Sequence, residues 1–121
     1  MSDATKILGK AGEDCAANYL ESCGYKIIAR NYRIRSAEID IIAEKDDVIV
    51  FVEVKARSNV RHGLPAEAVN FRKQQKIIEA ASVFLQNDDY ADCACRFDVI
   101  EIYSRGKFFE VRQIENAFEV N

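Results

Sequence analysis

Residues 37–55, AEIDIIAEKDDVIVFVEVK, decide the predicted fold. They contain two apolar runs, 39–43 and 48–54, separated by four polar residues, which is the pattern of two neighbouring strands joined by a tight turn. In the second run, apolar side chains occupy both alternating faces, as expected of a central strand that is covered on both sides. The stretch therefore predicts a hairpin within a sheet whose two faces are both packed.

Three charged side chains interrupt these apolar strands. Glu53 and Lys55 project from one face at the end of the second strand, and Asp40 projects from the otherwise apolar first strand. Glu53 and Lys55 are about 6.6 Å apart along the strand at ~3.3 Å per residue, so both can reach one ligand. Buried charges are costly unless they are paired or bound. We therefore expect the three groups to meet at one site; the alternative is a cross-strand salt bridge between Lys55 and an acid.

Phosphodiester hydrolysis is the chemistry that such a site would suit. Mg²⁺ prefers oxygen ligands and usually takes one or two protein carboxylates together with water and phosphate oxygens. Asp40 and Glu53 would supply these carboxylates, to Mg²⁺ or to Mn²⁺ in its place, and the metal would activate a water. Lys55 would orient that water or stabilise the negative charge that develops on the phosphate.

The length and composition are those of a single soluble domain spanning residues 1–121. Hydrophobic residues make up 49% of the chain and charged residues 31%. No apolar run approaches the ~18 residues of a membrane span, and the N-terminal residues lack a signal-peptide core, so we expect a cytoplasmic protein without membrane contact. The four cysteines lack the spacing of a zinc site and are expected to be reduced thiols, buried or partly buried.

The middle of the chain is basic although the net charge is −3. Residues 26–78 carry 11 basic and 7 acidic side chains, whereas both flanking parts are acidic. Such a patch predicts contacts with several phosphates of a nucleic acid, and a solvated charged surface is the alternative. The candidate phosphate-binding residues are Arg33, Arg35, Arg57, Arg61, Lys73 and Lys76.

The remaining elements follow from periodicity and stop signals. A helix is predicted over 4–23, with Glu13 at the margin of its apolar stripe, and a strand over 25–33. A second helix begins at 67 or 70 and ends near 86, a half-exposed strand covers 96–103, and a last strand covers 108–114. The polar segment 56–66, which contains His62, is expected to be a loop that contacts substrate.

Several motifs, spread over nearly the whole chain, resemble those of the bacterial YraN family. They are Gly12-Glu13, Asn31-Tyr32-Arg33, Glu38-Ile39-Asp40, Phe51-Val52-Glu53-Val54-Lys55 with Arg57, Lys73, and Arg96-Phe97-Asp98-Val99. That family is similar to the restriction-endonuclease-like PD-(D/E)XK superfamily and, in layout, to archaeal Holliday-junction resolvases. The resemblance implies an α/β fold with an αβββαβ core and a mixed central sheet flanked by helices.

The resemblance also assigns roles to residues of this chain. It implies metal-binding acids at Asp40 and Glu53, a catalytic lysine at Lys55, and a further acid on the first helix at Glu13 that completes the metal shell. One departure is Ala37, which stands where the family usually has glycine. If that position requires a positive φ, alanine would strain it by ~1 kcal/mol.

Three hypotheses about function follow. The first is a Mg²⁺-dependent nuclease that acts on DNA rather than RNA, in particular on branched DNA, with a homodimer as its expected assembly. The second is a nucleic-acid-binding module of the same fold without catalytic turnover, in which the acids are structural. The third is a partner-binding domain that uses the exposed edge of the sheet. The fold alone does not choose among them, because one fold supports many functions.

Overall fold

Two helices and five strands build the protein in a computed structural model that describes residues 3–57 and 69–120, with side chains from Gly9 onward. The elements, in chain order, are α1 (Asp3–Ser22), β1 (Lys26–Ile34), β2 (Ala37–Lys45), β3 (Val48–Arg57), α2 (Phe71–Phe84), β4 (Ala94–Arg105) and β5 (Phe108–Phe118). The predicted helices and strands are all present, with bounds that shift by a few residues. Arg61 and His62, which we predicted to contact substrate, lie outside the described residues.

The strands form one mixed sheet in the order β1-β2-β3-β4-β5. β1 to β3 are antiparallel neighbours, as predicted, and so are β4 and β5, whereas β3 and β4 run parallel. Asp46 and Asp47, with φ of 53° and 65°, form the two-residue turn between β2 and β3. The protein thus has an α/β fold, compatible with a restriction-endonuclease-like core, as predicted.

One helix covers each face of the sheet, and the alternation of β3 separates the two cores as predicted. Val50 and Val52 pack in a cluster with α1, while Ile49 and Phe51 pack in a cluster with α2. A Cβ at Gly12 of α1 would lie 3.1 Å from the Cβ of Ala56 on β3. Glycine therefore allows α1 to approach the sheet closely at the position next to Glu13.

The contact face of α1 is centred on small residues that the sequence pattern did not single out. Ala16 and Ala17 are buried in the core cluster beside Leu20, which does belong to the predicted apolar stripe, while Cys15 and Tyr19 are only partly buried. Small side chains serve here because the backbone of α1 lies close to β3.

The prediction that the strand over 96–103 is half-exposed is wrong. β4 lies between β3 and β5, and its apolar residues enter both core clusters. Its two acids, Asp98 and Glu101, are 0% exposed because each is bound by cationic and hydrogen-bonding side chains. Nothing local in the sequence identifies the partners of these acids, so their burial could not be predicted from the pattern of the strand.

Two smaller expectations can also be compared with the structure. The four cysteines carry free thiols, and three are partly buried as predicted, whereas the prediction is wrong for Cys95, which is exposed. Ala37 is not among the described residues with positive φ, so it does not strain the start of β2.

Candidate active site

Asp40 and Glu53 line one cavity between the sheet and the start of α2. The cavity has a volume of about 370 Å³ and is referred to below as the acidic cavity. Its other lining residues are Ala37, Glu38, Asn70, Arg72, Lys73, Lys76 and Ile77. Two of the three groups that we expected to converge are therefore neighbours at one site.

The strands separate at Asp40. The paired register of β2 and β3 ends with Ile41 opposite Val52, and beyond it the Val54 N–H donates a 2.8 Å hydrogen bond to Asp40 Oδ2. The side chain of Asp40 thus takes the place of a main-chain acceptor. This hydrogen bond fixes one carboxylate oxygen and directs the group toward β3, where Glu53 lies one residue before Val54.

The alternation of β2 also changes at this residue. Regular alternation would place Ile39 on the same face as Ile41, but Ile39 packs in the cluster of α2 and Ile41 in that of α1. The neighbouring strand has a matching irregularity, because Asn31 adopts a left-handed φ of 52° between the register pairs on either side. A backbone distortion in both strands therefore surrounds Asp40.

Asp40 is the titratable group most affected by this environment. Burial is the main cause that raises the pKa of Asp40 to about 7, and the charge of nearby Glu53 is the second. The hydrogen bond from the Val54 N–H lowers this pKa and offsets part of the rise. A buried carboxylate that lies next to a second negative charge attracts a proton or a cation.

Glu53 is already paired with a cation. Its side chain is 6% exposed, and Oε1 lies 2.7 Å from Nζ of Lys73 on α2. Lys73 is held in the first turn of the helix, where its N–H donates to Oδ1 of the N-cap residue Asn70 at 2.9 Å. The start of α2 therefore brings an ammonium group onto the carboxylate.

Lys55 follows Glu53 on the same face of β3, as predicted. It is half-buried and aligned with Glu101 of β4 in the parallel register. It forms no ion pair with an acid in the described segments, so the cross-strand salt bridge that we held as the alternative is not formed there.

Glu13 lines a neighbouring hollow rather than the acidic cavity. This hollow, also bounded by Lys10, Asp14, Arg30, Asn31 and Arg33, lies on the α1 side. Asn31 connects the two sites: with its amide oriented to satisfy its hydrogen bonds, Nδ2 donates to Oε1 of Glu13 and to Oε1 of Glu38, each at 3.0 Å. Burial raises the pKa of Glu13, and the charges of Glu38 and Glu53 add to this effect.

The site offers two neighbouring carboxylates, Asp40 and Glu53, rather than a larger cluster of ligands. Within residues 3–57 and 69–120, no three or more His, Cys, Asp or Glu side chains are grouped so that they could hold a metal ion. The assignment of Glu13 to the metal shell therefore stays a prediction, as do the metal-binding roles of Asp40 and Glu53.

The predicted phosphate-binding residues are divided among several surfaces. Lys73 and Lys76 line the acidic cavity. Arg33 pairs with Glu38 at 3.4 Å, Arg57 pairs with Glu101 at 3.3 Å, and Arg35 is exposed in the β1–β2 turn. Two cations therefore face the candidate site directly, and three lie around it.

Three polar residues near the site are not among the predicted site residues. Asn31 belongs to a quoted motif, yet only its φ of 52° and its two carboxylate partners give it a structural function. Arg72 lines the acidic cavity beside the assigned lysines. Arg112 approaches Glu101 from β5, which no local pattern indicates.

The fold and the acidic cavity define a class of α/β protein with a mixed sheet and a pair of carboxylates where two strands separate. The model of the uncharacterised protein family UPF0102 matches residues 12–102. The chain belongs to this family, which is the YraN family that the motifs indicated.

Three UPF0102 proteins align with this chain over almost their whole length. A UPF0102 protein of Desulforapulum autotrophicum is 45% identical over 121 residues, which are 100% of both chains. One of Clostridioides difficile is 48% identical over 93% of this chain and 97% of its own. A third, of Prosthecochloris aestuarii, is 47% identical over 98% of both chains.

No helix in the described part of the chain is long and apolar enough to cross a membrane.

Proposed function

We propose that this protein is a Mg²⁺-dependent nuclease that hydrolyses phosphodiester bonds of DNA, with branched DNA as the substrate to test first. The observation that carries the proposal is the pairing of Asp40 and Glu53 in one cavity that is bordered by cationic side chains. Acids and bases in this arrangement can hold a cation and a phosphate side by side.

The residues of the cavity fit a divalent cation. Asp40 Oδ2 is directed by the Val54 N–H, and Glu53 is held by Lys73. Burial, with repulsion from the charge of Glu53 as a second cause, raises the pKa of Asp40 to about 7. Mg²⁺, or Mn²⁺, would relieve that repulsion, and two carboxylates suit an ion that keeps several waters. When bound, it would supply Lewis-acid stabilisation of a phosphate and a water of lowered pKa.

The cations of the chain would hold and polarise the phosphate. Lys73 and Lys76 project from the first half of α2 into the cavity, and Arg72 lies on the same rim. Lys55 emerges from β3 two residues after Glu53, without an acidic partner in the described segments, so its ammonium is available to orient a water or to stabilise developing negative charge.

A binding module without turnover is the second candidate. The observation that favours it is the 2.7 Å ion pair of Glu53 with Lys73, because a carboxylate that is already neutralised can be structural. In this alternative the basic rim binds nucleic acid and the acids only position α2. Divalent-cation binding and cleavage separate the two candidates.

The experiment compares cleavage of linear, flapped and four-way DNA with Mg²⁺, with Mn²⁺ and with a chelator. Asp40→Asn and Glu53→Gln keep the size of each side chain and remove its charge. The matched control is Asp47→Asn, which removes one exposed charge from the turn at the opposite end of the two strands, where asparagine tolerates the φ of 65°.

The nuclease proposal requires metal-dependent cleavage that falls by at least about 100-fold in both site variants and is retained in the control. Cleavage that is unchanged in both site variants contradicts the site. DNA binding without cleavage of any substrate under any metal condition favours the binding module. The cytoplasmic location and the homodimer stay predictions from the sequence.

A further inference from the structure

Glu101 is a buried carboxylate that the proposed reaction does not use. Its side chain on β4 is 0% exposed. Oε2 accepts hydrogen bonds from Arg57 Nε at 3.3 Å and from the Tyr103 hydroxyl at 2.9 Å. Oε1 is buried and accepts no hydrogen bond from the described residues, and Arg112 Nε lies 4.0 Å from it. A buried charge that is only partly satisfied is costly, which makes this cluster a candidate for a function.

The cluster adjoins the acidic cavity along β3. Glu101 is aligned with Lys55 in the parallel register, two residues beyond Glu53. Aligned residues of parallel strands share a face, as the stacked rings of Phe51 and Phe97 show. Along the strand axis, Glu101 is therefore about 6.6 Å from Glu53. This distance is comparable to the spacing of successive phosphates in a nucleic acid strand.

Two arginines from different strands meet on this carboxylate. Arg57 comes from β3 and is 35% exposed, and Arg112 comes from β5 and is 60% exposed. Both approach Glu101 through Nε, and no described residue pairs with the terminal Nη groups of either. A guanidinium whose Nε is directed toward a carboxylate keeps its Nη groups for a second anion.

The charge of the cluster also suits an anion. Two guanidinium groups and one carboxylate leave a net positive charge, and Lys55 lies beside them on β3. Because the carboxylate is buried and the arginines reach the surface, an approaching ligand meets the cations first.

We propose that Glu101 is a positioning residue that holds Arg57 and Arg112 as a second phosphate-binding subsite. This inference rests on the proposed function: the subsite takes a phosphate of the DNA strand next to the one at the acidic cavity. The subsite thereby sets the register of the strand relative to Asp40 and Glu53.

The test measures binding of fluorescently labelled DNA by anisotropy, in a chelator so that no strand is cut, over a series of salt concentrations. Arg112→Met is expected to weaken binding about tenfold at 0.1 M salt and to lower the salt slope by about one. Arg112→Lys should keep the slope but recover only part of the affinity, since an ammonium lacks the bidentate fork. Lys107→Met, an exposed charge at the β4–β5 turn, is the control and should change both quantities less.

Glu101→Gln distinguishes positioning from bulk charge. Removing a negative charge beside two arginines should tighten DNA binding if only net charge matters. If Glu101 positions the arginines, binding weakens despite the added positive charge. The thermal unfolding of each variant is measured in parallel, and Arg112 variants remain informative if Glu101→Gln does not fold, because Arg112 is 60% exposed.

The outcomes separate the two proposals. DNA cleavage that requires Asp40, together with unchanged binding by Arg112→Met or tighter binding by Glu101→Gln, overturns the subsite and leaves the nuclease intact. Wild-type protein that shows no salt-dependent DNA binding overturns both. Weaker binding by Arg112→Met and Glu101→Gln with an unaffected control supports the subsite, whether or not the DNA is cleaved.

Discussion

The ammonium of Lys73 lies 2.7 Å from Oε1 of Glu53 and joins the first turn of α2 to the end of β3. Burial alone would lower the pKa of Lys73. The hydrogen bond to Glu53 and the negative charges of Glu53 and Asp40 outweigh burial, so the pKa of Lys73 is raised overall. The ammonium of Lys73 therefore already neutralises the carboxylate that we propose as a metal ligand, so a metal ion would have to compete with it.

Replacement of Lys73 by methionine should increase the affinity for Mn²⁺ by roughly tenfold, equal to about 1.4 kcal/mol, because the internal competitor is removed. Isothermal titration calorimetry at constant pH measures this affinity. Lys76→Met is the control, since Lys76 lines the same cavity and has no ion pair with a described acid. Equal affinities in wild type and Lys73→Met would contradict the competition.

The stability of the protein should depend on the ionisation of Asp40. Its pKa is raised in the folded state from 3.8 to about 7, chiefly by burial, so the folded protein binds a proton that the unfolded chain releases. The resulting stabilisation is complete below pH 4 and is lost as the pH rises through 7. A shift of this size corresponds to at most about 4 kcal/mol, and solvent in the cavity reduces it.

Asp40→Asn should therefore unfold at a higher denaturant concentration than wild type at pH 8, by of the order of 2 kcal/mol, and the gain should shrink toward pH 4.5. Asparagine keeps an oxygen that can accept from the Val54 N–H. Urea unfolding across this pH range measures the effect. A stability difference that does not vary with pH would show that the charge of Asp40 is not the cause.

Affinity for the metal should depend on the same proton. Below pH 7, Mn²⁺ must displace a proton from Asp40, so its affinity should fall by about tenfold per pH unit and level off above pH 8. Calorimetric titrations between pH 5.5 and 8.5 measure the curve. A flat profile over this interval would place the bound ion elsewhere.

Alanine substitutions at two glycines of α1 test how closely this helix packs against the sheet. An alanine Cβ at position 12 would lie 3.1 Å from Ala56 Cβ, whereas at position 9 it would meet nothing within 4 Å. Gly9→Ala should stabilise the protein by about 0.5–1 kcal/mol through helix propensity. The free energy of unfolding of Gly12→Ala should be lower than that of Gly9→Ala by about 1 kcal/mol or more, because α1 or β3 must shift to accommodate the new Cβ. Thermal unfolding of the two variants measures the difference, and equal stabilities would contradict the close packing.

The helices and strands could be predicted from the sequence because they depend on short-range patterns of apolar residues and on turn signals. Alternation in β3 and the acidic turn before it identify a hairpin, and this hairpin brings Asp40 next to Glu53. The roles of these residues in catalysis stay predictions.

Long-range partners could not be predicted. Asp98 is buried because Arg96, Gln113 and the Asn116 N–H bind it, and the last two lie on another strand. Glu101 is buried by the same kind of pairing, with Arg57 from β3. In the sequence such acids look like solvated positions of an alternating strand, since burial depends on groups that only tertiary folding brings near.

The parallel pairing of β3 with β4 has a consequence for how the chain folds. Val48 and Ala94, the first partners in that register, are more than forty residues apart, whereas β1, β2 and β3 pair through short turns. Loop closure makes distant pairing the slower event. We expect the three-stranded meander to form early and the attachment of β4 to limit the folding rate, so that the arginine cluster around Glu101 is assembled last.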